Sequence, residues 1–271
     1  MGGYYIHNIK GVNGRYYSVS AQLSKTFNWG LDLMAAYTYS NSLTVSDGAG
    51  DQVYSFGSTE SKNGCNYYEL GQSSFVAPHR VIANASYTIR EGKKLATKLG
   101  VFYEGYNIGY LNSYSYSRFS YLMNNVSGAG SASQTIYIPT QAELAAMTFT
   151  SVENKAAYSE FLSSDKYLSN HRGEYMRRGA IAAPFINRIN LRVAQDFYFD
   201  ICGKKHTLEL SADINNVGNL LNSNWGVNKV LSSNSILSYK KGVYNFTAPV
   251  WKNYNSLSST WSMLFSAKWS F

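Results

Sequence analysis

Six charged side chains stand out because each falls inside a stretch that alternates apolar and polar residues: Arg188, Arg192, Asp196, Glu209, Asp213 and Lys268. Successive side chains of a strand point to opposite faces, so charges placed this way share one side of a sheet. Two carboxylates such as Glu209 and Asp213 could do acid/base work, but pairing with Arg188 or Arg192 on a neighbouring strand is the simpler role. Other chemistry lacks its minimal parts. GxSxG, HExxH, Walker A and CxxC patterns are all missing, and Gly128-Ala-Gly130 is too short for a phosphate loop. Asp47 and Asp51 in "SDGAGDQ" could help hold a calcium ion, although an ordinary Asp-Gly turn accounts for them. His7, His79, His171 and His206 have no ligand spacing, and Cys65 with Cys202 are too few for a disulfide framework or a metal knuckle. The expectation is a protein that is not an enzyme, with no cofactor and no metal.

The elements that position those charges are strands of period two. Seven are predicted, over residues 17–27, 31–40, 81–90, 98–104, 188–197, 207–215 and 261–271. The last is the clearest: Trp261, Met263, Phe265, Ala267, Trp269 and Phe271 form one face, and Ser262, Leu264, Ser266, Lys268 and Ser270 the other. Ile82 and Phe102 break the alternation within their strands, and Lys25 is out of place near a strand end. Three connections are short, about 28–30, 91–94 and 200–205. Three are long, about 41–78, 107–183 and 218–258. If consecutive strands are antiparallel, all the short turns lie at one end and all the long loops at the other. Outer-membrane barrels show this parity, with short periplasmic turns and long extracellular loops. It also places Cys202 and Cys65 at opposite ends, too far apart for a disulfide. Within the longest loop, Thr140 to Glu143 reads as a capping box and residues 152–162 have helical spacing. The loops are otherwise rich in Ser, Asn, Gly and Tyr, which suits adaptable polar contact.

Composition agrees with a chain facing lipid on one side. The 271 residues are 45% hydrophobic and only 15% charged, against about 25% charged in soluble domains. A mean hydropathy of -0.26 and the lack of a long apolar run exclude a transmembrane helix. Barrel strands need only about 9–11 alternating residues and escape that exclusion. The charge of +8 is scattered with no basic block longer than a pair, so nucleic acid is not an expected partner. Tyr16, Tyr17, Trp29, Tyr37, Tyr39, Tyr198, Trp261 and Trp269 near strand ends fit interfacial girdles. A soluble sandwich would show the same alternation, core inward and solvent outward. Loop parity, low charge and aromatic content favour the membrane. No signal peptide is visible after Met1, so the chain is expected to lack its front end or not to be exported.

The final run, "WSMLFSAKWSF", resembles the closing strand of bacterial outer-membrane barrels. That resemblance implies that Trp269 and Phe271 form the assembly signal read by the barrel-assembly machinery. "FVAPHRVIANASYTI" (75–89), "YIPT" (137–140), "YLSNHRGEYMRRGAIAAPFINRINLRVAQDF" (167–197) and "LELSADINNVGNLLNSNWG" (208–226) resemble the C-terminal barrel region of TonB-dependent outer-membrane receptors. The pattern is most similar to the Bacteroidetes-type, Oar-like subgroup with a carboxypeptidase-regulatory-like domain, and the resemblance runs from about Gly14 onward. The family implies a plugged 22-stranded barrel energised by the TonB complex. Plug, TonB box and signal peptide are absent from these residues, and seven is odd where single-chain bacterial barrels are even. The expectation is an all-β, antiparallel transmembrane barrel segment, the C-terminal third of a receptor and a single partial domain over 1–271. Its partners would be outer-membrane lipid, the missing N-terminal barrel and plug, and, through the full-length parent, the TonB complex. Lumen-facing polar residues would hold the plug while outer loops capture a glycan, peptide or metal chelate. Alternatives are an adhesion or secretion-related barrel, or a secreted glycan-binding sandwich.

Overall fold

The computed structural model describes residues 11, 13–47, 59–62, 69–125 and 134–271, with the side chain of Asn125 excepted. His7, Asp51, Cys65 and Gly128 to Gly130 lie outside the described residues, so the disulfide and calcium readings that involve them have no structural counterpart here.

Seven long strands form one antiparallel sheet in chain order: β1 (Arg15–Thr26), β2 (Leu31–Thr44), β3 (His79–Glu91), β4 (Leu95–Asn107), β5 (Phe185–Ile201), β6 (Lys204–Asn215) and β7 (Ser262–Ser270). Each begins or ends within a few residues of its predicted span. The largest gain is β5, whose 17 residues extend past Phe197 to Ile201. The 200–205 turn therefore shrinks to Cys202-Gly203 between paired Ile201 and Lys204. Both turn residues have positive φ (49° and 78°), as a two-residue type I′ hairpin requires. At the β1–β2 turn Gly30 has φ 95°, and a Cβ there would lie 2.6 Å from the Thr88 carbonyl oxygen. That turn closes with the Phe27 N–H donating to the Leu31 carbonyl at 2.8 Å. The three short turns share one end of the sheet and the three long connections the other, as the parity argument requires.

Burial decides between sandwich and barrel. On the apolar face, Leu23 is 81% exposed, Val19 65% and Phe265 75%. On the opposite face Asp196 is 2% exposed, Ala194 1% and Ser211 7%. On the central strands these small or paired polar-side residues are shielded while large apolar residues stand open, the reverse of a water-soluble sandwich, and no second sheet covers the apolar face among the described residues. Such an inversion is stable where hydrocarbon replaces water. Ile82, Phe102 and Leu264, apolar residues that break the alternation, all fall on the polar side, where Leu264 is still 59% exposed. Their register partners there are Glu104, Asn84 and Asp213.

The long connections are not loose. Leu122–Asn125 of the second runs parallel to Ser235–Lys240 of the third in a four-stranded sheet completed by Gln134–Thr135 and Val243–Phe246. A second small sheet joins Gly109–Leu111 in parallel to Lys229–Leu231, flanked by Tyr114–Tyr116 and Trp251–Asn253. Three helices pack on this cap: α1 (Gln141–Ala146), α2 (Val152–Ser164) and α3 (Lys166–Asn170). The capping box at α1 forms as its sequence predicts, with the Thr140 N–H donating to Glu143 Oε2 at 2.8 Å and the Glu143 N–H to Thr140 Oγ1 at 3.3 Å. Ser151 caps α2 through the Asn154 N–H, and Asp165 caps α3. A fourth helix, α4 (Val217–Leu221), follows β6 directly. The cap has its own core of Ile136, Ile138, Tyr158, Leu162, Leu168 and Met176, all fully buried.

Candidate functional site

The predicted charges on the polar face divide into a connected chain and two outliers. β5 sets Arg192 opposite Asp213, and Asp196 opposite Glu209, on β6. Arg192 reaches both carboxylates: its Nη1 lies 2.8 Å from Asp213 Oδ2, and its Nη2 3.0 Å from Glu209 Oε1. Lys98 of β4 continues the chain, 3.0 Å from Glu209 Oε2 and 2.7 Å from Asp196 Oδ2. Tyr198 adds a hydroxyl donated to Asp196 Oδ2 at 2.8 Å. Six side chains on three strands are thus linked, and Lys98 was not among the residues singled out from the sequence. Its partners are separated from it by about a hundred residues of chain, and no local spacing announces them. Arg188 is not in this chain. It turns toward the long-connection end, where Nη2 donates to Asn228 Oδ1 at 2.6 Å and Nε to the Gly226 carbonyl at 3.3 Å. Lys268 faces Glu209 from β7 in the register, but that carboxylate is already shared by Lys98 and Arg192.

The apolar face carries aromatic groups at both ends. Near the short turns, Trp29 packs against Phe27 and Tyr87. On the last strands, His206 sits among Phe199, Trp269 and Phe271, and Trp269 Nε1 donates to His206 Nδ1 at 3.2 Å. At the other end Tyr17 meets Tyr39, and the Tyr37 hydroxyl bonds His79 Nδ1 at 2.8 Å. Two of the eight residues read as girdle belong elsewhere: Tyr198 and Tyr16 share the parity of Asp196 and Ser18 and lie on the polar side. The ring of Phe185 covers Gly105, where a Cβ would approach its Cε1 to 2.5 Å. Polar side chains that fall on the apolar face are paired there: Thr97 donates to Gln195 at 2.6 Å, and Tyr103 to Asn187 at 2.6 Å.

At the mouth of the sheet, all three long connections converge on a cavity of about 670 Å³. The first supplies Asp47, Glu60 and Phe75, the second Tyr116, Arg118, Phe119 and Arg178, and the third Asn234. Arg178, 2% exposed, anchors the floor: Nη1 lies 3.3 Å from Asp47 Oδ2, and Nη2 donates to Thr44. It lies flat over Gly71, whose missing Cβ would stand 2.5 Å from the Arg178 Cβ. Glu60 accepts from the hydroxyl of fully buried Ser120, which itself accepts from the Gly179 N–H at 2.8 Å. Its other oxygen has, among the described residues, Asn234 Nδ2 at 3.5 Å. Surrounding protein raises the Glu60 carboxyl to about 6, an effect opposed by the Ser120 hydrogen bond and the Arg178 charge and assisted by Asp47. The Arg118 guanidinium donates to the Gly179 carbonyl at 3.3 Å and forms no ion pair among the described residues. Burial lowers its pKa. Rings form the wall, with Phe75 5.7 Å from Tyr116, and Tyr116 5.7 Å from Phe119, edge on. Asp47 is thus a partner of Arg178, and no group of three or more acidic, His or Cys side chains is arranged for a metal among the described residues.

A single antiparallel sheet with lipid-type residues outward, paired charges inward and all long connections at one end defines an outer-membrane β-barrel protein. The family model for the outer membrane beta barrel domain matches residues 6–241, and the chain belongs to that family. Its place is accordingly the outer membrane. Comparisons with curated proteins and with solved structures gave no match.

Proposed function

We propose that this chain forms part of the barrel wall of a TonB-dependent receptor that takes up a nutrient with energy from the inner membrane. The observation that carries the reading is the mouth cavity, built by all three long connections and standing above a polar, ion-paired inner face. A ligand held there would lie over a lumen whose side chains suit a hydrated plug. The similarity of residues 75–89, 137–140, 167–197 and 208–226 to receptor barrels supports the same reading. Hydrocarbon does not tolerate unpaired backbone, so the free edges of β1 and β7 would pair with further strands of the same barrel. The long-connection end would face outward and the short turns the periplasm. Trp269 and Phe271 would then sit at the periplasmic belt as the signal for the barrel-assembly machinery.

The test is uptake in cells expressing the full reading frame that contains this chain. Loss of uptake of a labelled nutrient on deleting the gene, matched by equal loss on deleting TonB, is expected. Uptake lost with the gene but kept without TonB would overturn the energised reading, and uptake that persists without the gene would leave an adhesion or secretion role in its place.

A further inference from the structure

The mouth cavity holds two complementary charges that do not meet. Among the described residues, Arg118 offers a guanidinium with one carbonyl acceptor and no carboxylate, and Glu60, held at one oxygen by Ser120, offers a second oxygen with a distant amide as its partner. Neither pairs with the other, because no ion pair links them among the described residues. The remaining charges in the cavity, Asp47 and Arg178, are already joined. Half-buried charged groups are ordinarily paired, since an unpaired one sacrifices hydration for nothing. Phe75, Tyr116 and Phe119 line the same cavity. A volume of about 670 Å³ falls in the range of small-ligand sites.

We propose that this cavity binds a short zwitterionic peptide, its terminal carboxylate held by Arg118, its terminal ammonium by Glu60, and an apolar or aromatic side chain laid against the three rings. A planar fork of donors suits a carboxylate, and a carboxylate with a spare oxygen suits an ammonium. A ligand carrying both charges leaves the cavity neutral, whereas a simple anion or cation would leave Glu60 or Arg118 facing an unbalanced charge. Asp47, Arg178 and Ser120 act as positioning residues that fix the floor and the Glu60 rotamer. For its biological use the proposal rests on the receptor reading, but binding is measured without TonB, so either can fail alone.

The experiment titrates the full-length barrel protein that contains this chain, purified in detergent micelles, with the dipeptide leucyl-phenylalanine, its N-acetyl form, its C-terminal amide and the doubly blocked form, following heat of binding. Saturable binding of the free dipeptide is expected, with either block weakening it roughly tenfold or more. Arg118→Gln should bind the free dipeptide and its amide equally while still rejecting the N-acetyl form, and Glu60→Gln should show the converse. Equal affinity for all four ligands in the unaltered chain, or no saturable binding into the millimolar range, would overturn the proposal. So would retained discrimination against the amide in a folded Arg118→Gln chain. The four ligands on the unaltered protein decide the matter even if a variant fails to fold.

Discussion

The sheet and the cap belong to one chain, yet they solve opposite problems. In the cap, Tyr158, Leu162 and Leu168 are sealed from solvent; in the sheet, every residue of β1 and β7 is exposed and the large apolar groups are on the outside. The cap therefore draws stability from the hydrophobic effect within the chain, and the sheet from lipid that its outer face must find. The polar side of the sheet shows the reciprocal arrangement: Lys98, Arg192, Asp196, Glu209 and Asp213 pair within the protein. A single chain thus carries two cores, one internal and one supplied by the membrane.

That contrast breaks most visibly at assembly. Deleting Phe271 from the full reading frame is expected to remove most of the protein from the outer membrane, read by immunoblot of membrane fractions, while leaving the cap foldable. Undiminished outer-membrane levels would show that the ring cluster of His206, Trp269 and Phe271 is packing alone. Next comes Leu162→Ala, which opens a cavity in a fully buried site and is expected to destabilise the cap by about 2–5 kcal/mol. Leu23→Ala, at a position 81% exposed, should stay within about 0.5 kcal/mol in detergent unfolding of the same chain. If the two Leu variants lose equal stability, the division into two cores is wrong.

Faces can be separated in the same way. Val101→Arg places a charge on the outward face near mid-strand and is expected to cost about 2–4 kcal/mol in a bilayer. Ser86→Arg, on the polar face of the adjacent strand, should be tolerated. Folding yields in vesicles measure both, and the same yield for the two would erase the assignment of faces.

Period two in the sequence was enough for all seven strands, the turn parity and the polar face, because each strand's pattern is written in consecutive residues. The charges Arg192, Asp196, Glu209 and Asp213 were readable for the same reason. Arg188 was readable as a polar-face residue, but its partner was not, because Asn228 comes from a connection that folds back over the strand end. Nor was the mouth cavity legible: Asp47, Glu60, Arg118 and Arg178 span some 130 residues and converge only through pairings between short loop strands. Such strands of two to six residues carry too little alternation to register as a pattern. The Ser-, Asn- and Tyr-rich composition of the loops suggested adaptable contact and hid the apolar set that forms the cap core.

Acid should strengthen the cap relative to the sheet. Glu60 has a carboxyl raised to about 6 from an unfolded value near 4.5, so its ionisation opposes folding. The groups that face it are Asp47, Arg178, Tyr116 and the hydroxyl of Ser120. The penalty is fully present above the folded value and disappears as pH falls through about 6 toward 4.5, a gain of about 1–2 kcal/mol. Thermal unfolding of the cap between pH 8 and 5 measures it, and Glu60→Gln should flatten the profile. A profile that keeps its slope in Glu60→Gln would assign the effect to another group.

The smallest effect is expected where the most charges lie. Arg192→Ala removes the link between Glu209 and Asp213, yet its side chain is 46% exposed and Lys98 still holds Glu209. Pairs of this kind contribute about 0–1 kcal/mol in water and are screened by salt. If the polar face borders a wet lumen, a double-mutant cycle between Arg192→Ala and Asp213→Ala should give a coupling in that range that shrinks from low to high salt. A coupling several times larger and insensitive to salt would instead mean that the chain of charges is sealed from water by protein lying against this face. The two results separate an open lumen from a tightly filled one, because only water and mobile ions can weaken Arg192 and Asp213 at a fixed 2.8 Å.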